Sequence, residues 1–356
     1  MINMMNKSII DLPTPNNISY LWNWGSMLGV ILMIQIITGL ILSMHYTANT
    51  ELAFNSISYI SRNINQGNNM RFIHMNCASM FFIMIYMHIF KGLKMNSYKI
   101  KETWLSGSSI LIILMITAFV GYVLPWGQMS FWGTTVITNL LSVVPFIGKK
   151  MVMWLWGNFS VSNPTLNRFF SFHFILPFIM LFLMLIHLFT LHKSGSSNPS
   201  ATNLNNDKIS FHPMFSLKDM NSIMLMLILV LIIILITPNM LGDPENFNQA
   251  DPLKSPPHIQ PEWYFLFAYA ILRSIPNKMG GVLALLCSVS ILYIMPLTMN
   301  NKKNKKISLM KNLSLLLLLS SFLILTWIGA NPVENPFIKT GQINSMLYFI
   351  SFILMS

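Results

Sequence analysis

Eight apolar runs, separated by polar segments, limit what this chain can fold into. They cover about residues 24–44, 72–92, 104–124, 170–191, 220–237, 279–297, 312–329 and 342–355. A helix needs roughly 20 mostly apolar residues to cross ~30 Å of hydrocarbon, and seven of the runs approach that length. The eighth, about fourteen residues, reads as clipped or tilted. Only 9% of the 356 residues are charged and 54% are hydrophobic. Soluble domains carry about 25% charged residues, so a water-exposed coat is out of reach. The fold class expected is an all-α polytopic membrane protein with eight transmembrane helices; disorder, collagen and a disulfide scaffold are excluded.

Net charge +12 invites a nucleic-acid reading, but the basic residues sit in loops between apolar runs rather than on one face. They report topology instead. With the N-terminus inside, the inner segments hold Lys7, Lys91, Lys94, Lys99, Lys101, Lys193, Lys208, Lys218, Lys302, Lys303, Lys305, Lys306 and Lys311, thirteen of the 22 Lys and Arg, which leaves nine outside. That bias favours an inner N-terminus. Two outer loops are long. Residues 125–169 hold Trp126, Trp132, Trp154 and Trp156, suited to helices lying in the interface. Residues 238–278 are Pro-rich and polar, then apolar again at 263–272. No internal repeat is present, and the first twenty residues contain no apolar stretch ending in a cleavage site. Cys77 and Cys287 lie within separate apolar runs, so no disulfide is expected. Twenty-nine Met, and four Arg against eighteen Lys, read as an AT-rich, organellar coding bias.

Chemistry enters with the histidines. His74 and His88 lie fourteen residues apart on the second run, and His173 and His187 fourteen apart on the fourth. At ~100° and ~1.5 Å per residue, fourteen steps fall about 40° short of four turns and rise about 21 Å. Each helix thus shows two imidazoles on nearly one face at two depths. One helix separates the two, so they run in the same direction: His74 comes level with His173 near the outside, His88 with His187 near the inside. A single buried histidine ordinarily makes an interhelical hydrogen bond. Four in a two-by-two lattice inside a membrane call for a function. Zinc is poorly served by two nitrogens per layer. Two axial imidazoles across a planar macrocycle would complete six-coordinate iron, and without C-x-x-C-H the haem would be held non-covalently.

The glycines repeat the spacing. Gly25 and Gly39 on the first run, and Gly107 and Gly121 on the third, are also fourteen apart. Glycine is common in membrane helices, but the same interval on both intervening helices reads as clearance for a flat ring. Arg71, three residues before His74, and Lys91, three after His88, stand where they could meet haem propionates or simply snorkel at helix ends. Residues 1–210 are therefore read as a dihaem four-helix bundle, and 211–356 as a C-terminal membrane part carrying the second outer loop.

The chain resembles the cytochrome b family, the membrane subunits of ubiquinol–cytochrome c reductases (respiratory complex III). The resemblance covers nearly the whole chain and rests on Arg71-Phe-Ile-His74, Gly121-Tyr-Val-Leu-Pro-Trp-Gly-Gln-Met-Ser130, His173-Phe-Ile-Leu-Pro177, Phe211-His-Pro213 and Pro261-Glu-Trp-Tyr264. The last is the family's quinol-site signature. Equal fourteen-residue spacings and eight helices in one chain look like the mitochondrial form. The resemblance implies a low-potential haem on His74 and His173 and a high-potential haem on His88 and His187. It implies quinol oxidation around Glu262, Tyr269, Gly133 and Phe119, and quinone reduction around His192, Ser196, Asp219 and Asn23. It also implies a Rieske iron–sulfur protein, a cytochrome c-type haem subunit and accessory subunits, in a dimeric complex of the mitochondrial inner membrane. Lys193 stands where relatives often carry an acid, and Lys91 where Arg is usual.

The residues agree with these roles on their own chemistry. Quinol oxidation releases two protons, and Glu262, in the Pro-rich outer loop, offers a carboxylate to accept one. His192, five residues beyond His187, turns off the haem face and deeper inward, where it and Asp219 can return protons to a reduced quinone. The rival is a cofactor-free transporter, which needs ionisable groups lining a path. The last four runs hold no Asp, Glu or His, which argues against it.

Overall fold

A computed structural model describes residues 10–199, 205–297 and 309–355, together with Asn6. Lys7, Lys302, Lys303, Lys305 and Lys306 of the topology count lie outside the described residues. Twelve α-helices occur among those described: α1 (Trp24–Ser43), α2 (Ala53–Asn63), α3 (Gly67–Lys94), α4 (Lys101–Val123), α5 (Gln128–Asn139), α6 (Gly148–Trp156), α7 (Asn163–Ser194), α8 (Met214–Ile236), α9 (Leu266–Ser274), α10 (Lys278–Ile294), α11 (Leu309–Gly329) and α12 (Phe337–Met355). Strands β1 (Pro13–Pro15) and β2 (Lys208–Ser210) pair antiparallel, with Thr14 opposite Ile209.

All eight apolar runs are helices. Six of them, α1, α3, α4, α7, α8 and α11, are long and apolar enough to cross a membrane. The sixth run, α10, is a shorter apolar helix of 17 residues, about 26 Å at ~1.5 Å per residue. The eighth run lies within α12, a helix of 19 residues that begins at Phe337, five residues before the run. Its start was missed because its inward face is small and polar rather than greasy. Gly341, Asn344, Ser345, Tyr348, Ser351, Phe352 and Met355 are its buried positions, and they pack on α11, whose buried side repeats Ser314, Leu318, Ser321, Leu325 and Ile328. Membrane helices associate through small residues that let backbones approach, and these serines bond their own preceding carbonyls, as Ser345 does to Gly341 at 2.7 Å.

Other helices also begin earlier than their apolar runs. At α7, Ser162-Asn163-Pro164-Thr165 places Pro in the first turn, and Thr165 Oγ1 accepts from the Ser162 N–H at 3.2 Å, half of a capping box. α8 starts at Met214, which brings Asp219 inside a spanning helix rather than in the preceding loop. The last four spans therefore do hold one acid, Asp219, in contrast to the four apolar runs. α2 was not anticipated; its eleven polar and apolar residues alternate at helical spacing with only Ala53 and Ile60 buried.

Two close pairs build the N-terminal bundle, α1 with α3 and α4 with α7. α8 closes against α1 and α3, while α9 packs on α10, α11 and α12. The two long loops contain α5 and α6 in one and α9 in the other, and polar bonds stitch them together. Asn246 Oδ1 accepts from both the N–H and the hydroxyl of Ser130, at 3.0 and 2.8 Å, and Gln128 Nε2 donates to the Lys254 carbonyl at 2.9 Å.

Candidate functional site

The four histidines meet in two pairs between α3 and α7. His74 and His173 have ring centroids 6.1 Å apart at 86°, and His88 and His187 6.4 Å apart at 66°. Imidazole nitrogens bind first-row metals at about 2.0 Å, and a ring centroid lies about 1.1 Å behind its nitrogen, so two rings flanking one ion stand about 6.2 Å apart. Both pairs fit that separation. No group of three or more His, Cys, Asp or Glu gathers anywhere among the described residues, so neither layer has the third protein donor that zinc sites use.

Hydrogen bonds select the tautomer at three rings. Thr38 Oγ1 gives its proton to the Ile34 carbonyl at 2.7 Å, so at 2.9 Å it accepts from His74 Nδ1–H. Ser106 Oγ donates to the Thr103 carbonyl at 2.9 Å and accepts from His187 Nδ1–H at 3.0 Å. His173 Nδ1–H donates to the Thr117 carbonyl at 2.9 Å. With the proton on Nδ1, the lone pair sits on Nε2, the arrangement in which a metal-ligating histidine is oriented by its other nitrogen. Gln35 Nε2 adds a bond to the His74 carbonyl at 3.0 Å.

Each glycine of the fourteen-residue pattern backs one imidazole. A Cβ at Gly107 would lie 3.0 Å from His187 Cε1, at Gly39 3.1 Å from His74 Cε1, and at Gly25 3.7 Å from His88 Cε1. At Gly121 it would lie 2.7 Å from His173 Nδ1 and closer still to Cε1. The close neighbour is thus the imidazole, not only a flat ring beyond it. Sequence reasoning missed Thr38 and Ser106, though a signal was present: each immediately precedes its glycine.

Arg71 and Lys91 have aromatic partners. The Arg71 guanidinium lies 5.5 Å from the Phe247 ring and donates to Ser61 Oγ at 3.2 Å. The Lys91 ammonium stands 4.2 Å over Trp22.

On the side of the long loops, Glu262 is joined to Tyr122, whose hydroxyl donates to its carboxylate. Burial pushes the Glu262 carboxyl up to about 7, against the pull of the Tyr122 bond, and the Asp243 charge adds to the rise. Phe119 lies three residues from Tyr122 on α4 and packs edge-on against Phe169. Tyr269 lies under the Arg273 guanidinium at 5.1 Å. Gly133, on α5, has open space where a Cβ would stand. Tyr122 and Asp243 are additions; 140 residues separate Tyr122 from Glu262, and no spacing announces such a contact.

At the opposite end, Asn23 Nδ2 donates to the Lys218 carbonyl at 2.9 Å and to Ser222 Oγ at 2.8 Å, tying α1 to α8. Asp219 is bonded to Ser26, one turn along α1 from Asn23. Trp22 Nε1 donates to the Ser197 carbonyl at 2.8 Å, drawing the Ser196–Ser197 stretch to the same place. Asn23, Asp219 and the neighbourhood of Ser196 therefore converge. His192 is exposed, about one turn before Ser196. Lys193 pairs with Glu102 at 3.2 Å, and both side chains are exposed.

Comparison with known proteins finds two family matches and a solved structure of the same fold. A family model described as "Cytochrome b/b6/petB" matches residues 9–195, and one described as "Cytochrome b(C-terminal)/b6/petD" matches residues 249–349. Among solved structures, a chain of "Hyperthermophilic respiratory Complex III" is 32% identical, covering 99% of this chain and 94% of its own, with a TM-score of 0.92.

Proposed function

The chain belongs to the cytochrome b/b6 family, and from that premise we propose a dihaem subunit that oxidises quinol on one side of a membrane and reduces quinone on the other. The family makes it the quinol-oxidising, electron-transferring membrane subunit of a complex III-type assembly and implies b-type haem. The finer reading rests on one observation above all, the two imidazole pairs at 6.1 and 6.4 Å, each ring backed by a glycine.

In this reading His74 with His173 would hold one haem and His88 with His187 the other, non-covalently. Held there, the haems would supply a one-electron relay between the two faces. The protein's own work is positioning and proton handling. Thr38, Ser106 and the Thr117 carbonyl keep Nδ1 protonated and Nε2 free to ligate. Gly25, Gly39, Gly107 and Gly121 leave the rings room to take that orientation. Arg71 and Lys91, near opposite ends of α3, would offer positive charge to the haem propionates.

At the outer site, oxidation of one quinol releases two protons and two electrons. Glu262 takes a proton from a quinol hydroxyl, and a carboxyl near 7 is matched to that task at neutral pH. Tyr122 holds the carboxylate; Tyr269, Gly133 and Phe119 are the residues that the family resemblance would add around the quinol. One electron leaves to a Rieske iron–sulfur partner and onward to a cytochrome c-type subunit, because such a cluster needs two Cys and two His together, whereas Cys77 and Cys287 lie on separate helices and no three His, Cys, Asp or Glu gather among the described residues. At the inner site Asn23, Ser196 and Asp219 hold the quinone, and His192 with Asp219 returns protons to it. Proton uptake inside and release outside couple the reaction to translocation.

The lysine bias supports an N-terminus on the inner side, and the Met-rich composition with Lys far outnumbering Arg, read as an AT-rich organellar coding bias, supports the mitochondrial inner membrane. The division into residues 1–210 and 211–356 is supported by the break between the two family matches, at residues 195 and 249. A cofactor-free transporter leaves the histidine lattice unexplained. The test is haem content: acid–acetone extraction should release two haems per chain, and one or none would reject the dihaem reading.

A further inference from the structure

Between its two histidines, α3 carries a second set of side chains that haem binding does not use. Ser79, Phe82 and Tyr86 stand at i, i+3 and i+7, which at ~100° per residue puts them about 80–140° round the helix from His74. All three grip the two residues that follow Glu262. Ser79 Oγ accepts from Trp263 Nε1 at 3.1 Å. The Phe82 ring stacks on Tyr264, centroids 3.9 Å apart and planes within 2°. The Tyr86 hydroxyl donates to the Tyr264 carbonyl at 2.6 Å. Ser79, Phe82 and Tyr264 are all buried, so water does not compete for these contacts.

A hydrogen bond to one side chain, a ring stack on the next and a bond to its carbonyl fix both the height and the rotation of the chain just beyond Glu262. The Glu262 carbonyl is itself held, accepting from the Phe265 N–H at 2.9 Å as the chain turns into α9. We infer that Ser79, Phe82 and Tyr86 are positioning residues for quinol oxidation, setting the Glu262 carboxyl against the same helix that carries His74 and His88. One rigid helix then fixes the proton acceptor and the histidine pairs in a single frame. A reacting group displaced by an ångström loses up to ~10²-fold in rate, so such a frame has a large effect to protect. The inference rests on the reading of Glu262 as the outer-site proton acceptor.

A packing role and a positioning role separate in the pH profile. The groups facing the Glu262 carboxyl are Tyr122 from α4, Asp243 from the loop after α8, and Tyr264 from its own segment. Loosening the anchor admits water to a carboxyl whose ionisation is opposed chiefly by burial, so the midpoint of the pH–rate profile should fall. The assay uses the assembled complex, following kcat/KM for quinol oxidation against pH, with the reduced haem spectrum as a check on loading. Tyr86→Phe removes one hydroxyl, and Ser79→Ala removes a second, independent anchor. Each should lower kcat/KM roughly 10-fold, up to ~10²-fold, and move the midpoint to lower pH with the haem bands unchanged. Tyr348→Phe is the control: its buried hydroxyl likewise donates to a carbonyl, that of Ser288 at 2.8 Å, rather than to the Glu262–Tyr264 stretch, while its ring, which packs on Phe267, is kept, so its midpoint should stay. An unmoved midpoint in both anchor variants would overturn the inference, as would an equal shift in Tyr348→Phe. If instead Glu262→Gln itself leaves the profile unchanged, the underlying reading of Glu262 fails.

Discussion

The outer imidazole pair is held more tightly than the inner one. Around His74 and His173, both Nδ1 atoms are bonded to α1 or α4, and the glycines behind them leave 3.1 Å or less for a Cβ. In the inner pair His187 is bonded to Ser106 and backed at 3.0 Å, but His88 has 3.7 Å behind it, ordinary contact distance. The surroundings differ in the same sense. The outer pair neighbours loops stitched by Asn246, Gln128 and the α3 anchor, whereas the inner end is made of helix termini, with Lys91 stacked on Trp22 and an exposed Lys193–Glu102 pair. A tightly determined site transmits a small substitution as a large change; a looser one absorbs it.

The largest expected difference between the two ends comes from Glu262. Its raised carboxyl is protonated below about 7 and can accept a proton only above it, so outer-site quinol oxidation should rise with pH through about 7. Glu262→Gln should slow it about 10²–10⁴-fold above that midpoint, with the gap closing at lower pH. Pre-steady-state haem reduction by quinol, with one site blocked at a time by inhibitors, measures this. Slowing confined to the inner site would reverse the assigned sidedness.

The glycines rank next. Gly121→Ala should cost about 1–3 kcal/mol by overpacking, Gly107→Ala and Gly39→Ala less, and Gly25→Ala nothing or a slight gain, since alanine favours helix by ~0.5–1 kcal/mol. The thermal midpoint for loss of the visible haem bands reports the order. If Gly25→Ala destabilised as much as Gly121→Ala, the contrast between tight and loose pairs would be gone. The smallest effect is at the inner surface: Lys193→Ala should cost under ~1 kcal/mol and less at high salt, because both partners are exposed. A larger loss that persisted in salt would mean that the pair organises the inner site.

What was legible in the sequence follows from what regular helix geometry encodes. The intervals 74–88, 173–187, 25–39 and 107–121 translate directly into depth and face, and the structure pairs the histidines accordingly. Contacts made by loops were not encoded that way: Tyr122 reaches Glu262 only after the outer loops fold back over α4. Helix starts were missed where polarity has a structural use, as in the Ser162–Thr165 cap and the serine-lined face of α12. Apolar runs report what faces lipid, and these helices hide their polar residues against one another.

The central claim, two haems each held across α3 and α7, is tested most directly by potentiometric redox titration of the four histidine variants. Titration of the native protein should resolve two b-type components. His74→Ala and His173→Ala should lack the same one, and His88→Ala and His187→Ala the other. Loss of one and the same component from His74→Ala and His88→Ala would contradict the account.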